Sequence, residues 1–188
     1  MNNFFSVAGK IAVVTGGSSG IGAMIARGFV ENGVKTYITA RKIEQLEQTA
    51  AKLSTVGKCI AIQSDLSTMA GVDAFADDML KRESKIDILI NNAGAAWGAP
   101  IDEFPEAGWD KVMDLNVKSI FFLSKRLLPA LRCAGSTDEP SRIVNIASVN
   151  GITHPRMNNY SYSASKAAVI QMTRHMAADL RPINININ

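Results

Sequence analysis

Ile11-Ala12-Val13-Val14-Thr15-Gly16-Gly17-Ser18-Ser19-Gly20-Ile21-Gly22 is the stretch that decides the fold. A short β-branched apolar run stops at a pair of glycines, and apolar residues then recur at helical spacing over residues 21–31. A strand buried on both faces, a tight turn and a helix account for that order. Glycines at 16, 20 and 22 permit a sharp turn, close approach of backbone N–H groups to a ligand, and close packing of helix on sheet. The N-terminus of the helix favours a pyrophosphate. A P-loop is excluded, because no Gly-Lys-Ser/Thr follows the glycines. The plainer alternative is a strand-to-helix turn that binds nothing.

Working outward, apolar runs and helical patterns alternate to the end of the chain. The runs predict strands over residues 11–15, 34–39, 58–63, 86–90, 143–146 and 183–187. Helices are predicted over 21–31, 43–53, 72–82, 109–132 and 160–180, with Asn32-Gly33 closing the first as a C-cap. Pro129 should kink the fourth helix or end it early. Residues 134–141 read as an exposed loop and 151–159 as irregular. Strands separated by helices of ten or more residues imply an α/β fold, a doubly wound parallel sheet of the Rossmann type, as one domain over residues 1–188. Ligands in such sheets bind at the carboxyl ends of the strands, near the switch point.

Composition agrees. The chain has 188 residues, 47% hydrophobic and 20% charged, which excludes a disordered or collagen-like protein. Twenty basic residues against 17 acidic ones leave a charge of +3, too small and too scattered to argue for a nucleic-acid partner. Cys59 and Cys133 make no disulfide framework, and unpaired thiols suit a reducing compartment. Residues 1–9 lack the character of a secretory leader, and no run of about 18 apolar residues exists to span a membrane. A cytoplasmic protein without a membrane or metal requirement is expected.

The second strand bears on the cofactor. Sites for NAD usually place an acidic residue about 20 residues beyond the glycines, on the ribose 2′-hydroxyl. This chain has Tyr37-Ile38-Thr39-Ala40-Arg41 there. Ala40 removes repulsion of a 2′-phosphate, and Arg41 offers a planar donor fork that matches one. NADP(H) is therefore favoured over NAD(H), although Ser18 and Ser19 leave the glycine turn without a basic residue. Tyr162 and Lys166 stand four apart on a predicted helix, so both lie on one face. A tyrosine of pKa about 10 needs a nearby cation to exchange protons at neutral pH. Tyr160 lacks such a partner, since Ala164 follows at the same interval.

The turn reads TGxxxGxG. Asp65 follows the third strand, Asn91-Asn92-Ala93-Gly94 the fourth, and Ser148 the fifth; Asn116 lies in the long helix and Tyr162-x-x-x-Lys166 opens the last one. In this order the motifs resemble the short-chain dehydrogenase/reductase family over essentially the whole chain. The resemblance implies hydride transfer between a nicotinamide and a carbonyl carbon. It assigns proton transfer to Tyr162, its activation and the nicotinamide ribose to Lys166, carbonyl hydrogen bonding to Ser148, and a water relay to Asn116. It places the cofactor on Gly16, Ser18, Ser19, Gly20, Ile21, Gly22, Arg41, Asp65, Leu66, Asn92, Ala93 and Gly94, besides Tyr162 and Lys166. Asp65 would sit near the adenine, or else serve as an ordinary helix N-cap. Asn91 would brace the central strands. His154, Trp97, Met157 and Ile152 are candidates for the substrate wall, with ordinary solvent or core roles as alternatives.

Residues 91–100, 108–117 and 136–142 are similar to the 3-oxoacyl reductases associated with rhamnolipid synthesis. That resemblance implies a 3-oxoacyl thioester, carried on coenzyme A or acyl-carrier protein, as substrate. A sugar or polyol dehydrogenase of the gluconate type is the alternative, and a nucleotide-binding module without turnover is a third reading. A homo-oligomer, tetramer or dimer, built through the helices at 109–132 and 160–180 is implied as well. By resemblance the family continues past its sixth strand to a substrate lid and a seventh strand, so a fragment truncated after the sixth strand is expected.

Overall fold

The computed structural model describes residues 6–188, so the reading of residues 1–9 falls partly outside it. Six parallel strands form one sheet in the order β3-β2-β1-β4-β5-β6. They are β1 (Ile11–Thr15), β2 (Lys35–Ala40), β3 (Cys59–Gln63), β4 (Ile88–Asn91), β5 (Ser141–Asn145) and β6 (Ile185–Ile187). The helices are α1 (Gly20–Glu31), α2 (Ile43–Leu53), α3 (Met69–Arg82), α4 (Glu106–Met113), α5 (Ser119–Ala134) and α6 (Tyr160–Leu180). The order of strands reverses between β1 and β4, which makes their carboxyl ends the expected crevice.

Alternate residues of β1 feed two cores. Ala12 and Val14 face Ala26, Val30, Leu46, Ala50 and Leu53 of α1 and α2. Val13 joins Phe75, Met79, Leu123, Leu127 and Leu131 of α3 and α5 on the other face. Both faces of the strands are covered, as their unbroken apolar runs require.

Three expectations need correction. The single helix over 109–132 is α4 and α5 joined by a widened π turn, Asp114–Lys118. That turn carries Asn116 inward to full burial. Pro129 does not end α5, which runs on to Ala134. Leu123 and Leu127 before it and Ala130 and Leu131 after it are all buried, and this packing on both sides outweighs the lost helical hydrogen bond. The last strand is shorter than 183–187, because Arg181–Ile183 form a 3-10 turn and Asn184 takes a left-handed φ of 59°.

At the end of the sheet remote from the crevice, the Tyr37 hydroxyl donates to Glu83 Oε1 at 2.5 Å, and Lys35 pairs with the same carboxylate. Burial alone would raise the Glu83 carboxyl. Hydrogen bonds from Lys35 and Tyr37 and the charges of Lys35 and Lys58 outweigh it and hold the group below the usual range. Cys59 and Cys133 are both free, and burial pushes the Cys59 thiol up to about 11. No helix among the described residues is long and apolar enough to cross a membrane.

Candidate active site

The glycine turn is shaped by contacts as well as by conformation. Gly16 has a φ of +66°, and a Cβ on it would come within 2.9 Å of Asn92 Nδ2 and 3.0 Å of Ala93 Cα. A Cβ on Gly22 would overlap the Gly16 carbonyl oxygen, so helix and turn meet at backbone contact. Gly20 has open space around it and is needed for its φ of +52°. Thr15 ties the turn to the loop after β4: its Oγ1 accepts from the backbone N–H of Asn92 and of Ala93, each at 2.9 Å. Asn92 Nδ2 in return donates to the Thr15 carbonyl at 2.9 Å. Ser19 is the N-cap of α1 but makes no side-chain cap bond, and no acidic residue stands in the first turn. The positive end of α1 is thus left for an anion.

These elements border a cleft of about 490 Å³, a size common for cofactor sites. Of the residues expected at a dinucleotide, Gly16, Ser18, Ser19, Ile21, Gly22, Arg41, Asp65, Leu66, Asn92, Ala93 and Gly94 line it. Gly20 does not, and neither do Tyr162, Lys166 or Ser148. Lys42, Gln45, Thr39, Ser64 and Leu115 line it without having been anticipated. Lys42 was visible as the second member of a basic pair with Arg41; the others carry no signal of their own. The backbone cradle, the uncapped helix end and the Arg41-Lys42 pair fit a phosphorylated dinucleotide.

Asp65 is not a helix N-cap. Thr68 caps α3, accepting from Gly71 N at 3.0 Å. Asp65 Oδ1 instead accepts from the Ser67 amide at 3.0 Å and the Ser67 hydroxyl at 2.7 Å, which closes a local turn. Burial raises this carboxyl, but those two bonds and the Arg41 charge pull it below the ordinary range.

The other sequence-predicted residues meet beyond the cleft, where β5 hands over to α6. Lys166 is buried, and its Nζ donates to the Ile146 carbonyl at 2.6 Å, one residue past β5. Burial pulls its ammonium below the usual lysine range. The same Nζ lies 5.6 Å from the centroid of the Tyr162 ring, so the predicted pair is formed. Ser148 heads a 3-10 turn (Val149–Gly151) and accepts from Asn150 N at 3.2 Å. The backbone of Gly151 packs on α6 at Lys166 and Ala167, where a Cβ would come within 2.7 Å of Lys166 C.

Asn116 is more heavily engaged than its expected role suggests. Its Oδ1 accepts from Ala95 N at 2.8 Å, and its Nδ2 donates to the Ala95 carbonyl at 2.9 Å and to Ser165 Oγ at 3.0 Å. Both amide hydrogens are spent, and a relay water at this side chain could meet only the remaining lone pair of Oδ1. Asn91 Nδ2 donates to Asn145 Oδ1 at 2.8 Å, which braces β4 against β5. Tyr160, the tyrosine without a lysine, stacks edge-on against Phe104 with centroids 5.8 Å apart. Trp97 packs over Gly108 of α4, with Lys111 Nζ 5.1 Å from its ring centroid. His154 is exposed. Val149, Ile152 and Met157 are each more than 60% exposed and edge this end of the molecule with apolar surface.

Known proteins are similar to this chain in sequence and fold. The family described as short chain dehydrogenase matches residues 10–188. A rhamnolipids biosynthesis 3-oxoacyl-[acyl-carrier-protein] reductase of Pseudomonas aeruginosa is 46% identical over 188 residues, which cover 100% of this chain and 73% of that protein. A 2-dehydro-3-deoxy-D-gluconate 5-dehydrogenase of Dickeya dadantii is 36% identical over 191 residues, covering 99% of this chain and 72% of that protein. Among solved structures, a Pseudomonas aeruginosa RhlG/NADP active-site complex superposes with a TM-score of 0.96 at 46% identity, covering 100% of this chain and 73% of the other. Matched by that family over residues 10–188, with the glycine cradle in the cleft and the Tyr162–Lys166 pair beyond it, the chain belongs to the short-chain dehydrogenase/reductase family of oxidoreductases.

Proposed function

We propose that this protein uses NADPH to reduce the ketone of a 3-oxoacyl thioester to the 3-hydroxy compound. The observation that carries the reaction is the Lys166 ammonium, held by the Ile146 carbonyl and standing over the Tyr162 ring. A bound nicotinamide supplies the hydride that reaches the carbonyl carbon. Tyr162 gives its phenolic proton to the substrate oxygen. Lys166 stabilises the phenolate that remains, and its restrained position keeps that charge within a few ångströms. Ser148 hydrogen-bonds the substrate oxygen and orients it toward Tyr162. Asn116 holds the Ala95 loop to α6, so that the cofactor wall and the proton donor share one frame.

The preference for NADPH rests on Arg41 and Lys42 at the wall of the cleft and on the absence of a carboxylate at Ala40. The neighbouring RhlG structure is an NADP complex, which supports the same reading. The acyl substrate is supported by the likeness to the 3-oxoacyl reductase and by the exposed apolar side chains of Val149, Ile152 and Met157 beside the Tyr162 end. A gluconate-type ketose is the second reading, favoured by the 36% identical dehydrogenase. We also propose assembly with further copies of the chain, because α4 and α5 present Trp109 and Phe121 about two-fifths exposed.

NADPH fluorescence measures binding, and oxidation on addition of a 3-oxoacyl coenzyme A thioester or a 5-keto sugar acid measures turnover. The proposal expects binding and faster oxidation with the thioester. Faster oxidation with the sugar acid selects the second reading. Binding without oxidation by either leaves a nucleotide-binding module, and absence of binding overturns all three.

A further inference from the structure

A side-chain chain of four residues crosses the molecule behind the Tyr162–Lys166 pair. Asn91 Nδ2, at the end of β4, donates to Ser124 Oγ of α5 at 3.3 Å and to Asn145 Oδ1 of β5 at 2.8 Å. Asn145 Nδ2 then donates to Thr173 Oγ1 of α6 at 2.8 Å. With Asn145 Oδ1 accepting from Asn91, the Nδ2 of that amide faces α6 and donates to Thr173. Asn145 immediately precedes Ile146, whose carbonyl receives Lys166 Nζ and whose N–H donates to the Asn91 carbonyl at 3.0 Å. Two successive residues of one strand end therefore grip α6 at two points seven residues apart, Lys166 and Thr173.

Tyr162, Lys166 and Thr173 follow one face of α6, at i, i+4 and i+11. Apolar contact alone would not fix that face. The buried residues of α6 are Ser161, Ser165, Lys166, Val169 and Leu180, of which only Val169 and Leu180 are apolar. A hydrogen bond of 2.8 Å constrains rotation and sliding of the helix more closely than a small apolar contact does. Asn91 Oδ1 is buried without a hydrogen-bond partner, so this polar chain carries a cost and its value is directional.

We propose that Thr173, through Asn145, is a positioning residue that sets the rotation and register of α6 and thereby aligns Tyr162 and Lys166 with the substrate oxygen. This inference rests on the proton-transfer role proposed for Tyr162. Thr173 does not line the cleft, and its loss should act on kcat while leaving NADPH affinity alone. A displacement of about 1 Å at reacting groups can cost on the order of 100-fold in rate.

The test compares Thr173→Val, which keeps the shape but removes the acceptor, with Thr173→Ser, which keeps the hydroxyl. Thr173→Ala gives a second loss of the acceptor without an added methyl. The chain has three tyrosines, so a spectrum of ring-labelled 13C-tyrosine resolves Tyr162, assigned by Tyr162→Phe, against Tyr37 and Tyr160 as internal standards. We expect Thr173→Val and Thr173→Ala to lower kcat about 10- to 100-fold, with the NADPH Kd unchanged. Their Tyr162 resonance should move while that of Tyr37 stays, and Thr173→Ser should match the native protein in every readout. A Tyr162 resonance unmoved in Thr173→Val, or a Thr173→Ser variant as impaired as Thr173→Val, overturns the inference. If the native protein fails to oxidise NADPH whichever carbonyl compound is added, the proposed reaction is refuted instead, and the tyrosine spectra still decide the role of Thr173.

Discussion

The cleft and the Tyr162–Lys166 end beyond it are built on different physical terms. At the nucleotide end, the wall is mostly backbone and turn: Gly16, Gly22, Ala93 and Gly94 offer little side chain, and their spacing is held by Thr15 and Asn92. At the proton-transfer end, three long-range side-chain bonds from α6 do the holding, at Ser165, Lys166 and Thr173. The first end forms an open cleft, whereas the second borders exposed apolar side chains. Binding and chemistry should therefore fail separately, and for different reasons.

The largest expected effect breaks the chemistry and spares the binding. Tyr162→Phe should lower kcat below 0.1% of native, on the order of 4 kcal/mol in the barrier, with the NADPH Kd within about two-fold. Appreciable turnover in that variant would remove Tyr162 from its proposed role. Gly22→Ala should break the other end. The added Cβ has to displace the Gly16 carbonyl, and overpacking of this kind costs about 1–3 kcal/mol in stability. We expect NADPH binding to be lost in fluorescence titration, with the Tyr162 resonance unchanged. Native affinity in this variant would show that the turn is not the phosphate cradle.

Lys166→Met separates function from stability within one residue. Turnover should fall with that of Tyr162→Phe. Stability of the protein without cofactor should rise by roughly 1 kcal/mol, or about 2–4 °C in Tm, because a buried ammonium is replaced by an apolar chain of similar length. The gain also has a pH signature. The folded-state pKa of Lys166 lies below its unfolded value, so the native protein is penalised at lower pH and gains stability as pH rises through that folded pKa. The methionine variant should lack this rise. A Tm below native at neutral pH would show that the bond to the Ile146 carbonyl outweighs the cost of burial.

Arg41→Ala sharpens the nucleotide end without breaking it. A charge-assisted contact contributes about 1.5–3 kcal/mol when buried. Arg41 is exposed, so we expect the lower part of that range, near a ten-fold loss of NADPH over NADH preference. An unchanged ratio would assign the preference to Lys42 or to neither. The smallest effect concerns neither end. Glu83→Gln should leave NADPH binding and turnover at native values while reducing stability by about 1–2 kcal/mol at neutral pH. The folded-state pKa of Glu83 is depressed, so its contribution is present above the ordinary carboxylate range and is lost as pH falls through the folded value. Acid unfolding curves of native and variant should converge there.

The sequence by itself determined the doubly wound sheet, because apolar runs and helical patterns alternate along it, although the break between α4 and α5 left no mark. It also named most of the residues that line the cleft, since a backbone cradle needs specific small residues at fixed local intervals. It placed Tyr162 and Lys166 on one face, because four residues make about one helical turn. Tertiary structure alone decided the rest. Pro129 stays inside α5 because buried leucines and alanine on either side hold the helix to the sheet. Asn116 turns inward because a π turn rotates it toward Ala95 and Ser165, partners 21 and 49 residues away. The partner of Lys166 is a backbone carbonyl, which no residue type announces, and the partner of Asn145 is a threonine 28 residues further along the chain. Local spacing can specify which groups share a face, but the bonds that aim that face join distant segments and exist only once the sheet and α6 have packed.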